Sequence, residues 1–95
     1  MTTPSSTLQL QLEHLPQSPG VYLMKNKGGA VLYVGKARLL ADRVRSYFQK
    51  GSAHTPKIRS MIDQVDGIET MVTGSDLEAL ILENNLIKKH RPKYN

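Results

Sequence analysis

The sequence contains no cysteine, no tryptophan and a single phenylalanine. Without cysteine the chain has no disulfides, no thiolate metal ligands and no cysteine nucleophile, which fits a reducing compartment. No apolar run approaches the roughly 20 residues of a membrane span, and no basic segment followed by an apolar run resembles a signal peptide. These absences lead us to expect a cytoplasmic protein with no membrane partner.

Length and charge indicate one small domain with a polyanionic partner. The 95 residues are 39% hydrophobic, enough for a modest core that must be mainly aliphatic because tryptophan is absent. Lysine and arginine number 13 against 8 acidic residues, which gives a net charge of +5 and a pI near 9.7. In so small a domain this excess favours a nucleic-acid partner, although an ordinary basic protein has the same balance.

Residues 20–35 predict a β-hairpin around which the rest of the chain is organised. Short runs of β-branched, aromatic and other apolar residues flank the turn-forming segment Lys25-Asn26-Lys27-Gly28-Gly29. A loop of two or four residues would place Tyr22 directly opposite Tyr33, whereas a loop of three would shift the register by one residue. Taken alone, this pair is typical of a cross-strand contact that stabilises a sheet.

The later segments predict three helices and a third strand. Residues 38–50 and 56–65 carry apolar side chains at helical spacing, and residues 68–73 alternate and are rich in strand formers. Residues 75–90 open with a capping box and read as the third helix. The order β-β-α-α-β-α predicts an α/β fold of the α+β type, with a small three-stranded sheet that contains a hairpin and is flanked by helices.

The N-terminal segment differs in composition from the rest of the chain. Its first part is rich in threonine, serine and glutamine, so residues 1–14 are expected to form a flexible tail. Residues 15–95 are then expected to form a single domain.

The third predicted helix contains the most informative carboxylate. It is apolar on nearly all sides, which predicts that it is largely buried. Glu78 is explained by the capping box, but Glu83 lies among apolar side chains with no such explanation. Because an unpaired buried carboxylate is costly, Glu83 should have a cationic or hydrogen-bonding partner. The residues alone favour an ion pair with a lysine or arginine.

Two spaced triplets carry a family resemblance. Gly20-Val21-Tyr22 and Tyr33-Val34-Gly35 resemble the signature of the GIY-YIG nuclease family, with valine in place of isoleucine in each. Three further motifs are similar to the UvrC branch of that family, which acts in bacterial nucleotide excision repair. They are Gly35-Lys36-Ala37, Arg45-Ser46-Tyr47-Phe48 and LILENNLIKK at residues 80–89. The resemblance implies that residues 15–95 are one GIY-YIG nuclease domain, excised from a longer protein.

The resemblance implies a metal-dependent DNA endonuclease that hydrolyses a phosphodiester on the 3′ side of a lesion. Glu83 matches the family's metal-ligand glutamate, and one carboxylate with waters and phosphate oxygens suits Mg²⁺ or Mn²⁺. Tyr33 matches the tyrosine proposed to activate the attacking water. Lys36, three residues further on, is expected to lower the cost of forming the phenolate of Tyr33.

Four further residues match family positions near the reaction centre. Arg43 resembles the arginine that binds the scissile phosphate, a task that suits a planar guanidinium. Tyr22 and Tyr47 match positions that orient water or phosphate, and Asn95 is supported by spacing only. With Glu83 and Tyr33, these tyrosines and Arg43 are expected to converge on one concave surface.

The expected partners are damaged duplex DNA and, through regions outside this chain, the UvrB and UvrA subunits. We expect Arg38 and Arg45 to point to solvent, and the side chains assigned to DNA binding are Lys36, Arg38, Arg43 and Arg45. His54 is expected to be a solvated loop histidine. Two alternatives remain: another structure-specific nuclease of the GIY-YIG family, and a non-catalytic nucleic-acid-binding module. Metal binding at Glu83 would separate the second alternative from the nucleases.

Overall fold

The computed structural model describes residues 6–95, which form a three-stranded sheet between helices. The order β-β-α-α-β-α and the α+β class are confirmed, with one additional helix before the first strand. The elements are α1 (Ser6–Glu13), β1 (Gly20–Lys25), β2 (Val31–Ala37), α2 (Leu40–Ser46), α3 (Pro56–Gln64), β3 (Gly67–Val72) and α4 (Asp76–His90).

The sheet is antiparallel with the order β2-β1-β3, and it has a core on each face. Tyr22 and Met24 of β1 belong to the larger core, which also contains buried residues of α1, α2 and α3. Val21 and Leu23 point to the other face, where α4 covers them. This alternation follows from the two-residue period of a strand, and it places Tyr22 on the side of α2.

The hairpin register differs from the predicted one. Tyr22 is opposite Gly35 and Met24 is opposite Tyr33, so the direct pairing of Tyr22 with Tyr33 was wrong. The loop comprises five residues, 26–30, so Lys25 pairs with Val31. Between this pair and the next, Met24 with Tyr33, β2 has one extra residue, and this bulge shifts the register by one more position. The two tyrosines are therefore diagonal neighbours, with ring centroids 6.1 Å apart.

Neighbouring atoms lie so close to the backbone of Gly20 and Gly35 that only glycine fits at these positions of the two triplets. A Cβ atom added to Gly35 would lie 2.4 Å from the ring and hydroxyl of Tyr22, which is 1% exposed and has no room to move. A Cβ atom on Gly20 would lie 2.2 Å from the carbonyl oxygen of Met71 on β3. Any side chain at Gly35 would thus displace the Tyr22 ring, and one at Gly20 would push β1 and β3 apart.

The N-terminal segment is ordered from Ser6, so the predicted flexible tail was wrong for residues 6–14. Leu8 of α1 is buried in the larger core, and the Gln11 side chain accepts a 2.8 Å hydrogen bond from the Ile68 amide of β3. Because these contacts are tertiary, the polar composition of the segment did not reveal them. Residues 1–5 of the predicted tail lie outside the described residues.

Helix α4 is covered on one side only, so the predicted burial on nearly all sides was also wrong. Ala79 and Leu86 pack on the sheet, whereas Leu77 and Ile81 are 66% and 53% exposed. Ser75 caps the helix as predicted, since the Glu78 amide donates to Ser75 Oγ at 3.1 Å, but the Glu78 carboxylate accepts from the Gly74 amide at 3.1 Å and not from that of Ser75. Among residues 6–95, no helix combines the length and apolar character needed to cross a membrane.

Candidate active site

A hydrogen-bonded cluster joins β1 to α2 beneath the hairpin. The hydroxyl oxygens of Tyr22 and Tyr47 are 2.8 Å apart. Arg43, one helical turn before Tyr47, donates from Nη2 to the Tyr47 hydroxyl at 3.0 Å, and its guanidinium carbon lies 4.8 Å from the Tyr47 ring centroid. Tyr22, Arg43 and Tyr47 are therefore brought together as expected, with the charged end of Arg43 held beside two phenols.

Tyr33 lies half-buried on the edge strand β2, beside this cluster. Burial raises its pKa above the ordinary value, the neighbouring Tyr47 and the charge of Glu83 act in the same direction, and Arg43 opposes them. The cation that favours the phenolate is thus Arg43 and not Lys36, which corrects the prediction. Lys36 is exposed, and three positions along a strand place it on the opposite face from Tyr33.

Tyr22 is the most buried of the site's phenols, and this has a consequence at alkaline pH. Burial, followed by its hydrogen bond to Tyr47, raises the pKa of Tyr22 far above the ordinary value of 10.0. Above pH 10 the unfolded chain releases this proton while the folded chain retains it, so folding stability falls as pH rises. Below pH 10 both states keep the proton and this contribution is constant.

We therefore expect the free energy of unfolding to fall above pH 10, by up to about 1.4 kcal/mol per pH unit for this one proton. Urea unfolding at a series of pH values measures the slope. Tyr22→Phe should lower stability at neutral pH, because the bond to Tyr47 is lost, and should also reduce the alkaline slope by one proton. An unchanged slope in this variant would show that Tyr22 is not the group responsible.

Glu83 is half-buried on α4, and its side chain forms no ion pair or hydrogen bond with any other residue in the described part of the chain. The ion pair with a lysine or arginine that the residues alone favoured is therefore absent among residues 6–95. Its charge nevertheless reaches Tyr33 and raises the pKa of that phenol. Glu83 thus lies within electrostatic range of Tyr33, and its carboxylate is not bonded to any side chain among residues 6–95.

The donor set near Glu83 fits Mg²⁺ or Mn²⁺ better than a softer metal. Within the described residues, no group of three or more His, Cys, Asp or Glu side chains surrounds a common point. One carboxylate whose remaining ligands are waters and substrate phosphates is the usual arrangement for Mg²⁺. The Glu83 carboxylate, which has no hydrogen-bonding or ion-pair partner among residues 6–95 and whose charge reaches Tyr33, meets that requirement.

Asn95 closes the outer edge of β2. Its side-chain amide accepts from the Val34 amide and donates to the Val34 carbonyl, each at 2.8 Å, and the Tyr94 amide donates to the Leu32 carbonyl at 3.0 Å. The bonded residues flank Tyr33 on both sides. These bonds hold Asn95 next to Tyr33, and the catalytic role that spacing predicted for Asn95 stays a prediction.

The two arginines expected to face solvent differ in their surroundings. Arg38 is exposed and forms a 2.9 Å surface ion pair with Asp76, a contact of small energetic value. Arg45 is half-buried and donates to the carbonyls of Leu12 at 2.9 Å and Glu13 at 3.3 Å. The expectation was wrong for Arg45, because the unsatisfied carbonyls at the end of α1 recruit its guanidinium.

His54 contacts the tyrosine cluster, and the sequence did not predict this contact. Its ring stacks on Tyr47 with a centroid distance of 6.2 Å and an interplanar angle of 17°. Its Nε2 lies 3.1 Å from the Tyr47 carbonyl oxygen, and the side chain is half-buried. The expected solvated histidine was therefore wrong. The only sequence signal was its place in the loop after Tyr47.

The comparisons with known proteins agree on one family. The profile of the UvrC-like GIY-YIG domain matches residues 18–95. UvrABC system protein C of Clostridium botulinum is 56% identical over 88 residues, which are 93% of this chain and 14% of that protein. The protein of the same name from Dehalococcoides mccartyi is 55% identical over 92 residues, 97% of this chain and 15% of that protein. The chain thus spans about one seventh of these relatives.

Solved structures include a domain of nearly the same extent. The GIY-YIG N-terminal endonuclease domain of UvrC from Thermotoga maritima, bound to magnesium as its catalytic divalent cation, has a TM-score of 0.82 at 43% identity. The match covers 96% of this chain and 98% of that one. Variants of that domain with a tyrosine replaced by phenylalanine, or an asparagine by alanine, are also bound to the catalytic cation.

The chain belongs to the UvrC-like GIY-YIG domain family. The predicted family is confirmed, and the fold class agrees with that of the Thermotoga maritima domain. The two triplets that carried the resemblance lie on β1 and β2, and their tyrosines, Tyr22 and Tyr33, are in contact at the site.

Proposed function

We propose that this chain makes the incision on the 3′ side of a lesion in nucleotide excision repair. Its activity as a divalent-cation-dependent endonuclease follows from its family and from its match to a magnesium-bound endonuclease domain. The observation that carries the site is the Glu83 carboxylate, which has no partner among residues 6–95 and acts on Tyr33 beside the Arg43 cluster. The excision-repair role is supported by relatives named as UvrABC system protein C.

In the proposed site, each side chain has a defined role. Arg43 holds the scissile phosphate through its fork of N–H donors, and Tyr47 fixes the direction of that fork. Tyr33 accepts the proton of the attacking water, with Arg43 as the cation that favours its phenolate. Tyr22 is too buried to meet substrate and instead anchors the Tyr47 hydroxyl.

Glu83 holds the divalent cation in this proposal. When bound, Mg²⁺ or Mn²⁺ supplies positive charge that stabilises the phosphate in the transition state. The tyrosine and asparagine variants of the Thermotoga maritima domain retain their cation, which supports a ligand of another residue type. Asn95 keeps β2, and with it Tyr33, in place relative to Glu83.

The proposed partners are damaged duplex DNA and the UvrA and UvrB subunits, which would bind through regions outside this chain, in the cytoplasm. Lys36 and Arg38 are exposed and suit contacts with the DNA backbone, which carry no sequence preference. Arg45 is left out of this set because α1 occupies its guanidinium. We further propose that residues 15–95, together with α1 packed on them, form one domain of a longer protein.

A crystal soaked in Mn²⁺ tests the proposed site directly. We expect anomalous density next to the Glu83 carboxylate, on the side of Tyr33, because that carboxylate is the one acidic group assigned to the site. Glu69, which is paired with Lys25 at 2.6 Å, serves as an internal control and should attract no ion. Density only at carboxylates outside the site, such as Glu69, would contradict the metal assignment and favour a non-catalytic nucleic-acid-binding module.

A further inference from the structure

We propose that His54 is a positioning residue of the nuclease site, which holds Tyr47 and through it the guanidinium of Arg43. The inference rests on the proposed function, since it concerns the phosphate-binding group of the same site. It starts from two contacts between one side chain and one residue: the ring of His54 stacks on the ring of Tyr47, and its Nε2 lies 3.1 Å from the Tyr47 carbonyl oxygen.

Helix α2 needs external support at its C-terminal end. It has only seven residues, and Tyr47 is its C-cap. Helices of this length are marginal on their own, and their last carbonyls lack partners within the helix. Tyr47 and Arg43 are therefore not held in place by helix formation alone, although the site requires a fixed direction for both.

The loop after α2 provides that support through two side chains. Ser52 Oγ donates to the Ser46 carbonyl at 3.1 Å, and His54 Nε2–H donates to the Tyr47 carbonyl. The bond from Nε2 selects the tautomer and fixes the orientation of the imidazole. It therefore also fixes the plane of the imidazole ring that stacks on the Tyr47 ring. The chain of contacts then continues from the Tyr47 ring and hydroxyl to Arg43, at 4.8 Å and 3.0 Å.

Three variants separate the two contacts of His54. His54→Ala removes both, His54→Phe keeps a ring that can stack, and His54→Gln keeps an amide that can donate. His14 is a matched control, because its ring also lies near a backbone carbonyl, that of Leu10 at 2.9 Å, but it follows α1 and is outside the tyrosine cluster.

Near-ultraviolet circular dichroism reads the position of Tyr47 without any assay of activity. The chain has no tryptophan and four tyrosines, three of which are in the site cluster, so the tyrosine band reports mainly on the cluster. We expect His54→Ala to reduce this band in the 95-residue domain, with smaller changes for the phenylalanine and glutamine variants and none for His14→Ala. The related Thermotoga maritima domain crystallises in isolation, which supports using the domain alone here.

Kinetics of 3′ incision by the complete repair protein, with UvrA and UvrB, give the functional readout. His54→Ala loses a stacking contact and a hydrogen bond to Tyr47, which should lower kcat about tenfold. KM should be nearly unchanged, because the other cations still bind DNA. His54→Phe and His54→Gln should each recover part of the loss. His14→Ala should match the wild-type protein.

Three results would overturn the proposal, and one separates it from the function on which it rests. A wild-type tyrosine band in His54→Ala, wild-type kcat in that variant, or a fall in kcat that only follows the unfolded fraction in a thermal melt would each remove the positioning role. If the wild-type protein fails to cut DNA with Mg²⁺ and with Mn²⁺, the proposed function fails instead, and the dichroism still decides whether His54 holds Tyr47.

Discussion

Replacing Glu83 by glutamine is expected to abolish 3′ incision, with a loss on the order of a thousandfold or more. The amide is a poor ligand for a divalent cation, and no second carboxylate assigned to the site can replace it. DNA binding should survive because the phosphate-contacting cations remain. Stability should hold or rise slightly, since Glu83 has no cationic partner among residues 6–95 that would be left unpaired.

Thermal melting and nicking of the same Glu83→Gln protein, side by side, measure both parts of this expectation. Glu69→Gln is the matched control: it removes a carboxylate that pairs with Lys25 on neighbouring strands, so it should lower stability slightly and leave incision unchanged. A folded Glu83→Gln protein that still cuts would exclude Glu83 as the essential ligand. A large fall in melting temperature with a proportionate loss of activity would instead indicate a structural role.

Replacing Arg43 by lysine is expected to lower kcat about a hundredfold or more while DNA affinity changes little. Lysine keeps the positive charge but offers no planar fork, and its ammonium would not reproduce both the contact with the Tyr47 ring and the bond to the Tyr47 hydroxyl. The charge that favours the phenolate of Tyr33 would also lose its fixed place.

Single-turnover incision and equilibrium DNA binding, measured on the Arg43→Lys protein, separate these effects. Arg59→Lys on α3 is a suitable control, because Arg59 is exposed and outside the cluster. Equal losses in affinity and in kcat would mean that Arg43 binds DNA in the ground state and does not act selectively on the transition state. An unchanged kcat would remove Arg43 from the reaction.

Local sequence signals were reliable where the determinants are local. Pro56 begins α3, with Thr55 as its N-cap, and Ser75 caps α4 as the spacing to Glu78 predicted. These features depend on side chains that satisfy the amides of the next turn, so a few adjacent residues decide them. The runs of strand-forming residues on either side of the turn in residues 20–35 likewise predicted the two strands that bring Tyr22 and Tyr33 together.

The local sequence could not predict the register of the hairpin or which sides of each helix are buried. The five-residue loop and the extra residue in β2 place Tyr22 over Gly35 and not opposite Tyr33. Loop conformation and packing set this register together, and the strand residues alone are compatible with several. Similarly, the apolar character of α4 predicted burial, but the sheet covers only one side of it and leaves Leu77 exposed.

The sequence by itself determined the family, the fold class and the residue types at the site, because spaced motifs and periodicity are written along the chain. Only the tertiary structure decided how those residues share the work. Arg45 bonds to the carbonyls at the end of α1, Asn95 closes the edge of β2, and His54 bonds to the Tyr47 carbonyl. Each of these contacts satisfies a backbone group at the end or edge of an element, and which side chain reaches that group depends on how distant segments pack.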